Sequence, residues 1–181
     1  MTGKTFSREI TSPIDLVQDA QSPARNHLTH TTIALTNQQV SDLQNICETI
    51  TAPLETALAS RDWWPLTMHW ALAGEVPTRA AAICRPTSTE QVSHVLSYCN
   101  EHRIPVTAAG GRSGVCGASI PLYGGVILDT TAMQGVVALD DESLTVEVLP
   151  GTFGPDLEAH IQSLGFTVGH YPQSFDIATV G

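Results

Sequence analysis

A short apolar stretch, Ile104 to Thr107, leads through Ala108 into Ala109-Gly110-Gly111-Arg112-Ser113-Gly114, and this junction restricts the chain more than any other feature. Adjacent glycines let peptide N–H groups converge where a Cβ would stand in the way. The loop therefore reads either as a tight turn or as an anion cradle, with Ser113 as a hydroxyl donor and Arg112 as added charge. It lacks the Gly-Lys-Ser/Thr ending of a Walker A loop and the G-x-G-x-x-G spacing of a Rossmann turn. Upstream, Ala80 to Cys84 reads as a buried strand closing at Arg85-Pro86. Thr87 and Glu90 make a capping box, and Val92, Val95, Leu96 and Cys99 mark the inner face of a helix reaching about Arg103. The order is strand, helix, strand, glycine loop. Gly125 to Asp129 follows as a strand whose continuous apolar character suits burial on both faces.

Beyond it, Val136–Leu139 and Leu144–Leu149 flank the polar turn Asp140-Asp141-Glu142-Ser143, which predicts an antiparallel hairpin with one wet face. Pro155 then starts a helix with Leu157, Ile161 and Leu164 inward and Gly165 as its cap. Before the first strand, Thr36 with Gln39 predicts a capped helix over about 37–50, and Pro53 a second helix ending near Arg61. Trp63, Trp64 and Trp70 read as a packed aromatic knot or as a pocket wall. Residues 1–35, mostly polar, are expected to form a flexible lead-in, and 36–78 a helical segment.

Composition narrows the classes. Hydrophobic residues make up 42% and charged residues 14% of the 181, which suits a compact domain with a real core. The net charge of −10 comes from 18 acidic against 8 basic residues, with no basic cluster, so no nucleic-acid partner is expected. Cys47, Cys84, Cys99 and Cys116 are too dispersed for a zinc or redox pair and read as reduced thiols of a cytoplasmic protein. His27 and His30 have no third ligand beside them, so no metal is expected. No run is long and apolar enough to span a membrane.

Five pieces in order, Arg85-Pro86-Thr87-Ser88-Thr89-Glu90-Gln91-Val92, the glycine loop after Ile104-Pro105-Val106, Asp129 to Met133, Val148 to Gly151, and Gly169 to Gly181, resemble the FAD-binding (PCMH-type) domain of the vanillyl-alcohol oxidase family. D-lactate and glycolate dehydrogenases and alkyldihydroxyacetonephosphate synthase are its nearest groups. The resemblance implies an α+β fold over 79–181 made of two small α+β lobes, the second incomplete at Gly181. It implies that Thr107, Ala108, Ala109, Gly110, Gly111, Arg112 and Ser113 bind the diphosphate of FAD. It further implies that Gln173, Ser174, Phe175, Asp176, Ile177, Ala178 and Thr179 line the flavin. Ala109 stands where the family has a third glycine, and Arg112 where it has Thr. Arg112 and Ser113 replace the histidine that links flavin in some relatives, so FAD is expected to be non-covalent. The implied activity is oxidation of a small hydroxy acid or alcohol by hydride transfer to FAD; the alternatives are a flavin-dependent transferase like alkyldihydroxyacetonephosphate synthase, or an inactive fragment. Substrate contacts are expected from a missing C-terminal domain, and no catalytic residue is assigned.

Overall fold

A computed structural model describes residues 8, 10, 14–17 and 24–181; the lead-in expected over 1–35 lies partly outside the described residues. The first elements are β1 (Arg25–Asn26), α1 (Asn37–Gln44), β2 (Glu48–Ile50), α2 (Pro53–Ala59), α3 (Pro65–Leu72) and β3 (Glu75–Val76). The Thr36 hydroxyl accepts from Gln39 N, and the Gln39 side chain accepts from Thr36 N at 2.9 Å, the reciprocal box that starts α1. Pro53 and Pro65 open α2 and α3, where the missing N–H costs nothing.

The helix predicted over 37–50 ends early. It stops at Gln44, and Glu48–Ile50 becomes β2, antiparallel to β4 (Ala82–Arg85) with Glu48 opposite Arg85 and Ile50 opposite Ile83. Ile46, Cys47 and Ile50 fit a helix face, but β4 offers unpaired backbone groups that only a strand can satisfy.

Next come α4 (Thr89–Glu101), β5 (Val106–Ala109) and β6 (Val126–Asp129). Ser88, one residue later than predicted, caps α4 by accepting from Gln91 N, while the Gln91 side chain accepts from Thr87 N at 2.7 Å. The sheet order is β2-β4-β6-β5, with β4, β6 and β5 parallel. Alternation sends Ala82, Cys84, Val126 and Leu128 into one core with Leu43, Val95 and Cys99 from α1 and α4. Ile83 and Ile127 enter the opposite core with Ala59 and Ala109. Helices thus cover both faces, as a largely parallel sheet requires.

The parallel arrangement puts the carboxyl ends of β4, β5 and β6, at Arg85, Ala109 and Asp129, along one edge. Open sheets of this kind take ligands at that edge. A second body packs the hairpin β7 (Val136–Asp140) and β8 (Thr145–Val148) against α5 (Gly154–Gln162) through Val136, Leu157 and Ile161. The fold class is α+β. Among the described residues no helix is long and apolar enough to cross a membrane.

Candidate functional site

The glycine loop leaves β5 at that edge, and the segment 177–181 lies directly on it. A Cβ on Gly110 would sit 2.2 Å from Thr179 Oγ1, and one on Gly111 2.4 Å from the Ile177 carbonyl oxygen. Gly111 N donates to Thr179 Oγ1 at 3.0 Å, and Thr179 Oγ1 donates to the Gly181 carbonyl at 2.9 Å. The same segment is zipped to the start of α5: Gly154 N donates to Ala178 O at 3.2 Å and Val180 N to Thr152 O at 2.9 Å. Only glycine allows this approach, so the loop and the distant segment are built for each other.

Arg112 adopts φ +54°, a left-handed backbone uncommon for a side chain with a Cβ. Its guanidinium does not turn into the cradle. It is 11% exposed and faces the fully buried Asp129 at 3.6 Å, while Arg85 reaches the same carboxylate at 3.5 Å. Asp129 Oδ1 accepts from Thr131 N at 3.0 Å and from the Thr131 hydroxyl at 2.6 Å. Burial lowers the pKa of Arg112, Asp129 opposes that shift, and Arg85 adds to it. The three charges tie the ends of β4 and β6 to the loop after β5. On their outer side Arg8, Arg85, Arg112 and Thr131 line a second recess of about 400 Å3, its arginines already paired with Asp156, Glu48 and Asp129.

On the other side of the loop, Ala108 to Gly114, Asp62, Ala118, Ser119, Thr179 and Gly181 line a cavity of about 190 Å3. Arg112, Ser113 and Gly114 belong to no helix or strand, so their N–H groups are not committed to a ladder. Of the residues singled out from the sequence, the structure brings Ala108 to Ser113 and Thr179 together here. Thr107 stays within β5, half-buried. Gln173 and Asp176 are exposed, and Ser174 closes a turn through its carbonyl, accepting from Ile177 N and Ala178 N at 2.9 and 2.8 Å. The Phe175 ring packs on Gly154 and meets Tyr171 edge-on at 5.1 Å. None of these residues from Gln173 to Ala178 lines the cavity.

Asp62 was not singled out from the sequence. It is 2% exposed; Oδ1 accepts from Trp64 N at 3.0 Å, and Oδ2 is buried without a hydrogen bond of normal geometry. Burial pushes its carboxyl above the usual aspartate value, against the Trp64 and Gly117 N–H groups and the Ser119 hydroxyl, which favour the ionised form. Locally, Asp62-Trp63-Trp64-Pro65 reads as a helix start; the signal missing from the sequence was the bond from Trp63 N to Gly114 O, 3.1 Å, that seats it on the loop. Of the tryptophans, Trp64 meets Trp70 edge-on at 5.6 Å and His27 stacks on Trp70 at 4.1 Å, and none lines the cavity. Cys116 is exposed and the other three cysteines are buried, all four unpaired.

Loop N–H groups committed to no ladder, beside a small cavity, fit a ligand that is anionic and compact where it meets the loop, while the orphaned Asp62 oxygen on the same cavity opposes an anion unless it is protonated. The diphosphate of FAD has that character, and the cavity suits that portion of it rather than the whole molecule. Comparison with known proteins points to the same cofactor. A family model described as FAD binding domain matches residues 80–181. The chain is 33% identical over 100 residues to the glycolate oxidase subunit GlcD of Bacillus subtilis and 34% over 103 to D-lactate dehydrogenase of Anaerostipes hadrus. These alignments cover 55% and 57% of the chain but 21% and 22% of the relatives, so it spans about a fifth of their length. A solved alkyldihydroxyacetonephosphate synthase superposes on 88% of the chain and 31% of its own length, with TM-score 0.76 and 21% identity. For p-cresol methylhydroxylase the shares are 78% and 27%, the TM-score 0.65 and the identity 23%.

Proposed function

The chain belongs to the FAD binding domain family, PCMH type, and from that premise we propose that it holds the FAD of an oxidoreductase that oxidises a small hydroxy acid or alcohol. In this reading Thr107 to Ser113 carry the diphosphate and Gln173 to Thr179 the flavin side, within an FAD-binding unit spanning 79–181. The observation that carries it is the meeting of Gly110, Gly111 and Thr179 at one cavity from positions far apart in the chain. Likeness to glycolate oxidase and D-lactate dehydrogenase supports the substrate class.

When bound, FAD supplies the ring that accepts a hydride. The chain's own contribution is to bind and orient. The loop N–H groups after Gly111 stabilise negative charge, Thr179 fixes the distance between the two walls, and Asp129 holds Arg112 so that the loop keeps its shape. With Arg112 and Ser113 at the position of a linking histidine, FAD is held non-covalently. The four free thiols support a reducing, cytoplasmic setting.

The test is a visible spectrum of the purified chain after incubation with FAD and desalting. Retained flavin absorbance supports the reading, and a folded whole protein that carries no flavin overturns it. In the whole protein, anaerobic bleaching of the flavin by D-lactate or glycolate supports dehydrogenation. A transferase, the reading suggested by the likeness of the segment 169–181 to alkyldihydroxyacetonephosphate synthase, would turn over without consuming an electron acceptor.

A further inference from the structure

Asp62 stands where the proposed function least expects it. A second negative charge borders a cavity assigned to an anion, its Oδ2 is buried with no donor, and a Cβ on Gly114 would lie 4.0 Å from that oxygen. The residue also lies outside the stretch matched by the family, 80–181. We propose that Asp62 is a proton-linked member of the diphosphate site, which enters the FAD-loaded state as a neutral carboxylic acid, so that binding takes up one proton. The inference rests on the reading of the cavity as the FAD diphosphate site.

Among the described residues no cation is placed to neutralise an ionised Asp62. On its own segment, Arg61 donates to the Ile14 carbonyl and interacts with Asp15. On the glycine loop, Arg112 is committed to Asp129. From 117–119 only the Gly117 N–H and the Ser119 hydroxyl approach, and neither reaches Oδ2 with hydrogen-bond geometry. Thr179 and Gly181 on the opposite wall carry no side-chain charge. Asp62 and the loop line the same small cavity of about 190 Å3, so a diphosphate seated against the loop meets an ionised carboxylate at short range. Burial already favours the neutral acid, and the arriving anion favours it further. As an acid, Asp62 gains a donor for the incoming anion or for a serine hydroxyl facing it.

Linkage gives the expected behaviour. Between the titration of Asp62 in the free chain and its higher titration in the complex, Kd for FAD rises with pH by roughly tenfold per unit. The phosphates of FAD carry no titrating group in the neutral range, so the slope belongs to the protein. The experiment is calorimetric titration of the full chain with FAD across pH in buffers of different ionisation enthalpy, which counts protons directly. Expected is uptake of up to one proton, with Asp62→Asn abolishing it, flattening the profile and binding FAD more tightly than wild type at the alkaline end. Wild type that binds FAD with no proton uptake overturns the inference alone, as does uptake that persists in Asp62→Asn. Weaker binding by Asp62→Asn without proton linkage assigns Asp62 instead as an ionised acceptor for a cofactor hydroxyl. Wild type that is folded and binds no FAD at any pH overturns the reading of the cavity and the inference with it.

Discussion

Asp129 shows how much one side chain can carry in this fold. It is fully buried, spends Oδ1 on Thr131, and is the counter-charge for Arg85 and Arg112. The two arginines are unequal partners. Arg85, 31% exposed and shared with Glu48, is partly screened by water, whereas Arg112 at 11% is not. Asp129→Asn is therefore expected to destabilise the chain by about 3–5 kcal/mol, because it strands the buried Arg112 charge. Arg85→Ala should cost no more than about 1 kcal/mol. Urea unfolding of the two variants checks the contrast. Arg112 also shows what a sequence conceals: beside two glycines it reads as a charge for the ligand, and only the register of β5 against β6, Ala109 opposite Asp129, turns it inward.

At the scale of elements, α5 and the residues after it are joined by Glu158, which accepts from the Thr167 hydroxyl at 2.6 Å, Val168 N at 3.0 Å and the Tyr171 hydroxyl at 2.8 Å. These donors, Thr167 first, hold its carboxyl down to about 2 from an ordinary 4.5. A depressed carboxylate contributes stability that is present above its unfolded value and lost as pH falls through its folded one. Wild type should accordingly lose stability from about 4.5 down to about 2, and Glu158→Gln should show a flatter acid limb with lower stability at neutral pH; urea midpoints against pH measure both. The glycine loop gives a second contrast. Gly111→Ala drives a methyl group into the Ile177 carbonyl, backbone that cannot yield without moving the segment, whereas Gly114→Ala meets only the Asp62 carboxylate at 4.0 Å. Retained flavin after desalting should fall with Gly111→Ala, with FAD affinity down roughly tenfold or more, and change little with Gly114→Ala. Periodicity and capping made most of these elements legible beforehand, with boundaries off by one or two residues at β5 and α4. The part of 37–50 that became β2 was not legible, since its partner β4 lies some 35 positions away.

For the whole molecule, local pattern and pairing divide the same way. Strand, helix and glycine loop could be read from residues a few positions apart, and the resemblance supplied their joint purpose. The site's walls could not be read locally, because Asp62, the glycine loop and Thr179 meet only after the sheet is assembled. Gly111 and Thr179 are 68 positions apart, yet one hydrogen bond and two glycine contacts join them. Closing so long a loop costs only modestly more than closing a short one, since the entropy grows with the logarithm of its length. The cavity is therefore a property of the completed chain, absent from any unfolded form. A molecule that binds there binds the native state alone, and at a hundredfold excess over its Kd it adds about 2.7 kcal/mol to the free energy of unfolding. Under the proposed function, cofactor supply would then govern abundance as well as occupancy, with less of the folded protein kept where flavin is short.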